Sequence, residues 1–319
     1  MTGGTGFFGS WLLESLAWAN TTLDLQANVT VLTRNASAFS KKCPHLFQNP
    51  ALNFYEGDVK NFIFPKTPFS HIIHAATEAS ATLNNNSPLH MFDTILSGTR
   101  HVLDFAVATG AKRILFASSG AVYGRQPPAV SHLSEEYQGI PTVDDPRSAY
   151  AIGKYAAEHL CHLYVKKEGL DIKIARCFAF VGPYLPLDIH FAIGNFIRDG
   201  LAGDTIHIGG DGTPYRSYLY AADLVIWLWT ILFRGVTLRP YNVGSDEAYS
   251  IAEIAQLVAE VFAPQRKVHI AKKADPAFLP ERYVPSINRA KEELGLVPRI
   301  SLIRAVEFTK KWHERSQNR

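Results

Sequence analysis

The chain has 319 residues, 47% of them hydrophobic, enough for a large core at the upper size of one compact domain. Its net charge of +3 is mild and its Lys and Arg residues are dispersed, which excludes nucleic acid as an expected partner. The most apolar window, 221–233, is too short to span a bilayer and carries Asp223, so no membrane partner is expected either.

Cys43, Cys161 and Cys177 are odd in number and widely spaced, which fits reduced thiols in a cytoplasmic protein better than a disulfide framework. The chain opens directly into a glycine-rich turn, without a basic segment or apolar run, so no secretory leader is expected.

In chain order, short β-branched runs alternate with longer helical patterns, which predicts parallel βαβ units. A helix near 10–20 follows the glycine turn. Strands are predicted at 29–33, 52–55, 71–74, 113–117 and 172–176, with helices over 88–109 and 148–167 between them. Ser87 and Pro88 suit the cap and first position of the helix over 88–109. After about residue 177 the pattern loosens into Gly- and Pro-rich loops, with helices near 191–201, 221–233, 250–262 and 287–294. Ser250 and Glu253 form a capping box, and Gly295 is a helix stop. The polar residues from Lys310 onward are expected to fray.

The glycine turn is Thr2-Gly3-Gly4-Thr5-Gly6-Phe7-Phe8-Gly9. Its spacing assigns Gly3 to a tight turn, Gly6 to backbone approach by a pyrophosphate and Gly9 to close helix–strand packing. The following helix, entered at Phe7 and Phe8, offers free amides and a positive dipole end to phosphates. The strand that normally precedes such a turn is missing, because Met1 abuts it. Either a few N-terminal residues are absent from the sequence or the sheet lacks a central member; the first is favoured, since a gap there leaves backbone groups unpaired. At the end of the second strand, Arg34 suits the 2′-phosphate of NADP, where an acidic residue would suit NAD. The alternative is a solvated surface arginine. Asp58 is read as a contact to the adenine amino group, or else as an ordinary turn aspartate.

Tyr150 and Lys154 stand four residues apart on one helical face, and Ser119 precedes them at the end of a strand. A nearby ammonium favours the phenolate, making the tyrosine an acid/base group, and a serine hydroxyl beside it can hold a substrate oxygen. His159, Cys161 and His162 do not share one helical face, so no metal site is expected. Asp188-Ile-His190 lies in a loop where His190 is read as a substrate contact or a plain polar loop residue.

With these pieces in order, the chain resembles the extended short-chain dehydrogenase/reductase family, specifically its NAD-dependent epimerase/dehydratase branch acting on nucleotide sugars. The resemblance rests on Thr2–Gly9, Gly57-Asp58-Val59, His74-Ala75-Ala76, Gly98-Thr99, Ser118–Gly124, Tyr150 with Lys154, Val181-Gly-Pro183, Gly210–Arg216 and Asn242–Ser245. It implies an α/β fold with a Rossmann-like doubly wound parallel sheet over 1–176. A smaller substrate lobe covers 177–319, with segments near 215–245 returning to the first domain. It implies that Tyr150 exchanges a proton with the sugar oxygen, that Lys154 lowers the tyrosine pKa and holds the nicotinamide ribose, and that Ser119 binds the same oxygen. Val59, Ala75 and Ala76 are implied to line the cofactor, NADP or NAD. Arg216, and more weakly Arg282, are implied to meet the diphosphate of a nucleoside-diphosphate sugar. A homodimer through two helices per subunit is usual in such proteins.

Three positions depart from the pattern. Gly120 and Ala121 stand where sugar 4,6-dehydratases carry an Asp-Glu pair that serves elimination of water, so that activity is disfavoured. Ile95 replaces a common asparagine, and Ser217 an aspartate. The expected activity is hydride transfer at a hexose C4, as 4-epimerase or 4-keto reductase. The alternative is a catalytically idle NADP(H)-binding sensor or scaffold of the same fold.

Overall fold

A computed structural model describes residues 1–77, 81–189 and 191–317. The first half runs α1 (Phe7–Leu23), β1 (Val29–Thr33), α2 (Ala36–Lys42), α3 (Pro44–Phe47), β2 (Leu52–Glu56), β3 (His71–His74), α4 (Ala81–Asn86), α5 (Pro88–Thr109), β4 (Arg113–Ser119), α6 (Ala149–Glu168) and β5 (Asp171–Cys177). The second half continues with β6 (Phe180–Val181), α7 (Ala192–Ala202), β7 (Ile206–Ile208), β8 (Tyr215–Arg216), β9 (Leu219–Tyr220), α8 (Ala221–Arg234), β10 (Pro240–Val243), β11 (Tyr249–Ser250), α9 (Ile251–Val261), β12 (Val268–Ile270), β13 (Arg282–Tyr283), α10 (Asn288–Leu294) and α11 (Leu302–Gln317).

All pairings in the main sheet are parallel. Strands β10, β5, β4 and β3 are neighbours in that order, and β1 pairs with β2. Thr2 joins the two halves, bridging Leu32 on one side and His74 on the other. Its amide donates to the Ile73 carbonyl, and the Leu32 amide donates to the Met1 carbonyl. Met1 and Thr2 thus stand in the slot of the expected central strand, and a small cavity lined by Thr30, Tyr55, Phe62 and Ile72 lies beneath them.

Alternation along the strands builds two cores. Ile72, Ile114, Phe116 and Ile172 meet Val102, Leu103, Ala157 and Leu160 of α5 and α6. Ile73, Leu115 and Ala175 face Leu12 of α1 and Trp227, Leu228 and Ile231 of α8. A third core, with Ile193, Phe196, Ile254, Val258 and Val306, joins α7, α9 and α11.

The C-terminal helix corrects one expectation. Residues 310–317 do not fray: α11 continues to Gln317. Lys310 Nζ donates to the Val261 carbonyl at 3.1 Å, and Trp312 meets the Tyr184 ring edge-on at 5.0 Å. Those tertiary contacts supply what the polar sequence lacks. The Ser250–Glu253 capping box forms, and Gly295 closes α10 in the left-handed conformation. Ser87, however, makes no side-chain cap to α5, although Pro88 opens that helix. The three cysteines are buried and unpaired.

Candidate active site

The glycine turn sits at the C-terminal edge of the sheet, where open α/β sheets bind ligands. Gly3 has φ +71°, and a Cβ there would lie 2.5 Å from the Ala75 carbonyl, so both conformation and space require glycine. A Cβ at Gly9 would lie 2.3 Å from the Gly3 oxygen. Gly6 caps α1 without a side-chain partner, leaving the first-turn amides of Phe7 and Phe8 to an anion. The rings of those residues turn inward instead; Phe8 meets Phe180 edge-on at 5.0 Å. This cradle fits a dinucleotide, because the missing Cβ atoms leave backbone that a pyrophosphate can approach.

A directional hydrogen-bond chain pins the cradle. The Thr99 hydroxyl donates to the Ile95 carbonyl at 2.7 Å, so it accepts from His74 Nε2 at 3.1 Å. His74 Nδ1 then accepts from the Thr2 hydroxyl at 2.7 Å, which in turn accepts the Ala76 amide at 3.2 Å. His74 is held as the neutral tautomer. Burial, with Lys154 and the N-terminal amine adding positive charge, pushes its pKa down to about 3.

Arg34 is exposed at the end of β1, and Asn35 beside it caps α2. Asp58 accepts the Lys60 amide at 2.9 Å. Val59 packs over Gly98, where a Cβ would approach it to 2.9 Å. Ile95, fully buried, lies against Gly153 of α6, which explains an apolar residue at that position.

Ser119 ends β4 and Tyr150 lies in the first turn of α6, its amide held by Asn84 Oδ1 at 3.0 Å. Burial pushes the Tyr150 phenol up to about 12, with Ser119 opposing the shift. Lys154 Nζ donates to the Ala117 carbonyl at 2.7 Å and sits 5.0 Å from the Phe116 ring centroid. Burial lowers its pKa to about 8. In the protein alone, Lys154 is therefore bonded to β4 and Tyr150 is a neutral phenol. One turn further along α6, Glu158 accepts from Ser118 Oγ at 2.5 Å and holds Arg176 through Nε and Nη2, the latter at 2.6 Å. These contacts lock α6 to the tips of β4 and β5, and so fix Tyr150 relative to Ser119.

Tyr283, which the sequence does not single out, stands beside Ser119. Burial raises its phenol and Ser119 opposes the shift, with Tyr150, Cys177 and Arg216 also bearing on it. Its signal was the neighbouring Arg282, already singled out, since alternate strand residues face opposite ways. In the small sheet β11–β8–β13, Tyr283 pairs with Arg216, and Arg282 with Tyr215. Arg216 therefore shares the face of Tyr283, while Arg282 stacks on the Tyr215 ring at 4.2 Å on the other face. His190 lies outside the described residues.

Residues 1–244 match the sequence profile described as the NAD dependent epimerase/dehydratase family. The chain is 30% identical to UDP-glucuronic acid decarboxylase 1 of Xenopus tropicalis over 302 residues, covering 95% of this chain and 68% of that protein. Its fold superposes on the UDP-glucuronic acid 4-epimerase of Bacillus cereus, in complex with UDP-glucuronic acid and NAD, with a TM-score of 0.84 at 22% identity; 99% and 98% of the two chains are covered. The dTDP-glucose 4,6-dehydratase of Bacillus anthracis, in complex with NAD, gives a TM-score of 0.82 at 19% identity, over 99% and 96% of the chains. With the profile match spanning 244 of 319 residues, the chain belongs to the NAD dependent epimerase/dehydratase family.

Proposed function

We propose that the protein is a nicotinamide-dependent oxidoreductase acting at C4 of a nucleoside-diphosphate hexose, as a 4-keto reductase or a 4-epimerase. The observation that carries this is the meeting of Ser119 with Tyr150, with Lys154 close enough to act on His74, which holds the glycine turn through Thr2. When bound, the nicotinamide supplies or accepts the hydride at C4. Ser119 and Tyr150 hold the C4 oxygen, and the neutral Tyr150 phenol donates its proton to a keto oxygen as it becomes an alkoxide. Oxidation runs the proton the other way and needs the phenolate. Lys154 is assigned to the nicotinamide ribose, for which it would leave Ala117, and Arg216 to the diphosphate, where a planar guanidinium suits paired oxygens.

Arg34, with no acidic residue at positions 33–35, supports NADP over NAD. Gly120 and Ala121 cannot move a proton, which argues against 4,6-dehydration. The exposed Leu89, Val107, Tyr155 and Leu163 on α5 and α6 support contact with a second copy through those helices.

A second reading comes from relatives bearing the name UDP-glucuronic acid decarboxylase. Oxidising C4 of a hexuronate puts the carbonyl β to the C6 carboxylate; carbon dioxide then leaves and a proton returns to C5. Incubating purified protein with UDP-glucose, UDP-glucuronic acid and dTDP-4-keto-6-deoxyglucose, with and without NADPH, separates these readings. Epimerisation without added NADPH identifies the epimerase, net NADPH consumption the reductase, and carbon dioxide release the decarboxylase. Tyr150→Phe is expected to lower turnover at least about 100-fold with cofactor affinity unchanged. Unchanged turnover would rule out the catalytic assignment of Tyr150, and no turnover of any of these sugars by the wild type would leave an idle sensor of the same fold.

A further inference from the structure

Beside Ser119, the space that Gly120 leaves is filled by an aromatic ring. A Cβ on Gly120 would lie 2.6 Å from Cζ of Phe178, so that ring occupies the volume of the missing side chain. Phe178 stands 4.7 Å from the Tyr283 ring, inclined 33°, and 6.3 Å from Tyr123. Tyr283 points its hydroxyl toward Ser119, and the Tyr123 hydroxyl is spent on Asn242 at 2.7 Å.

Among the described residues, the cations named here are engaged elsewhere. Arg176 lies 4.7 Å from the Tyr123 ring centroid and is paired with Glu158. Lys154 is bonded to Ala117. Arg216, which bears on Tyr283, is the group assigned to the diphosphate.

We infer that this wall selects a neutral deoxy sugar, with a methyl or methylene on the flank of C4 that faces Phe178, and rejects hexuronates. The inference rests on the C4 reading above. Among the described residues, a carboxylate against Gly120 and Phe178 is desolvated with no counter-ion of its own, which is strongly unfavourable. A methyl group there gains by leaving water. The substrate thus differs in charge from the hexuronate named for the decarboxylase relatives.

The test is calorimetric titration of the holoprotein, saturated with NADP+, using UDP-glucuronic acid, UDP-glucose and UDP-6-deoxyglucose, repeated with the dTDP sugars so that the base is constant within each series. In a series that binds, the 6-deoxy sugar is expected to bind at least tenfold more tightly than the hexuronate. Phe178→Asn is expected to bring that ratio toward one, with its melting temperature reporting that it folds. A hexuronate that binds as tightly as the deoxy sugar, or a ratio unmoved in a folded Phe178→Asn protein, overturns the inference and leaves the C4 reading standing. If no sugar nucleotide of either series binds, the C4 reading itself falls and takes the inference with it.

Discussion

Acid is expected to weaken the protein through His74, and to do so at the cofactor cradle. Its ring is buried and neutral, with a pKa pushed down to about 3 from 6.5. Between those values the unfolded chain binds a proton that the folded chain does not. The stability this residue contributes is therefore complete above about pH 6.5 and is lost as pH falls toward 3. At pH 4.5, about two units below the free value, a cost of roughly 1.4 kcal/mol per unit gives a loss of about 3 kcal/mol relative to neutral pH. Because the same ring accepts from Thr2, which holds Ala76, opening it also loosens Gly3 and the cradle. The assay is urea unfolding followed by tryptophan fluorescence from pH 7.5 to 4.5, on wild type and His74→Gln. Gln keeps a donor and an acceptor but cannot titrate. The buried N-terminal amine, Lys154 and the carboxylates titrate in both proteins, so the difference between the two curves isolates His74. Wild type is expected to lose about 3 kcal/mol more than the variant over that range. Parallel curves would refute the reasoning.

Three other outcomes follow from contacts described above. Gly9→Ala puts a methyl 2.3 Å from the Gly3 oxygen; it is expected to cost about 1–3 kcal/mol and to weaken NADPH binding more than tenfold, read by thermal melting with and without cofactor. Glu158→Gln leaves the largely covered Arg176 without a counter-charge and is expected to cost about 3 kcal/mol by urea unfolding; a loss below about 1 kcal/mol would mean that water reaches the pair. Arg216→Ala is expected to raise KM for the sugar nucleotide at least about tenfold, with the cofactor Kd unchanged; equal losses in both would point to a structural role.

Several features were legible because they are local. The i, i+4 spacing of Tyr150 and Lys154 needs nothing beyond α6, and the glycine spacing needs only the turn and α1. The strand predictions held within two residues because a parallel sheet buried on both faces requires continuous apolar runs such as Ile72-Ile73 and Ile114-Leu115. The same logic failed at the C-terminus, where α11 is held by Trp312 and Lys310 against partners far away in the chain. It also missed Tyr283, whose place beside Ser119 depends on two-residue strands whose register no periodicity reveals.

From the sequence alone came the alternating α/β elements, the cradle for a dinucleotide, the Ser119, Tyr150 and Lys154 set, and the lack of a proton-transfer group at Gly120 and Ala121. Tertiary structure decided how those parts act. It set Met1 and Thr2 between the two halves of the sheet, bonded Lys154 to Ala117, turned Arg216 and Arg282 to opposite faces, and set Phe178 against Gly120. The division follows from physics. Backbone periodicity and steric freedom act over a few neighbouring residues, whereas the approach of side chains from distant segments depends on register and loop closure across the whole chain.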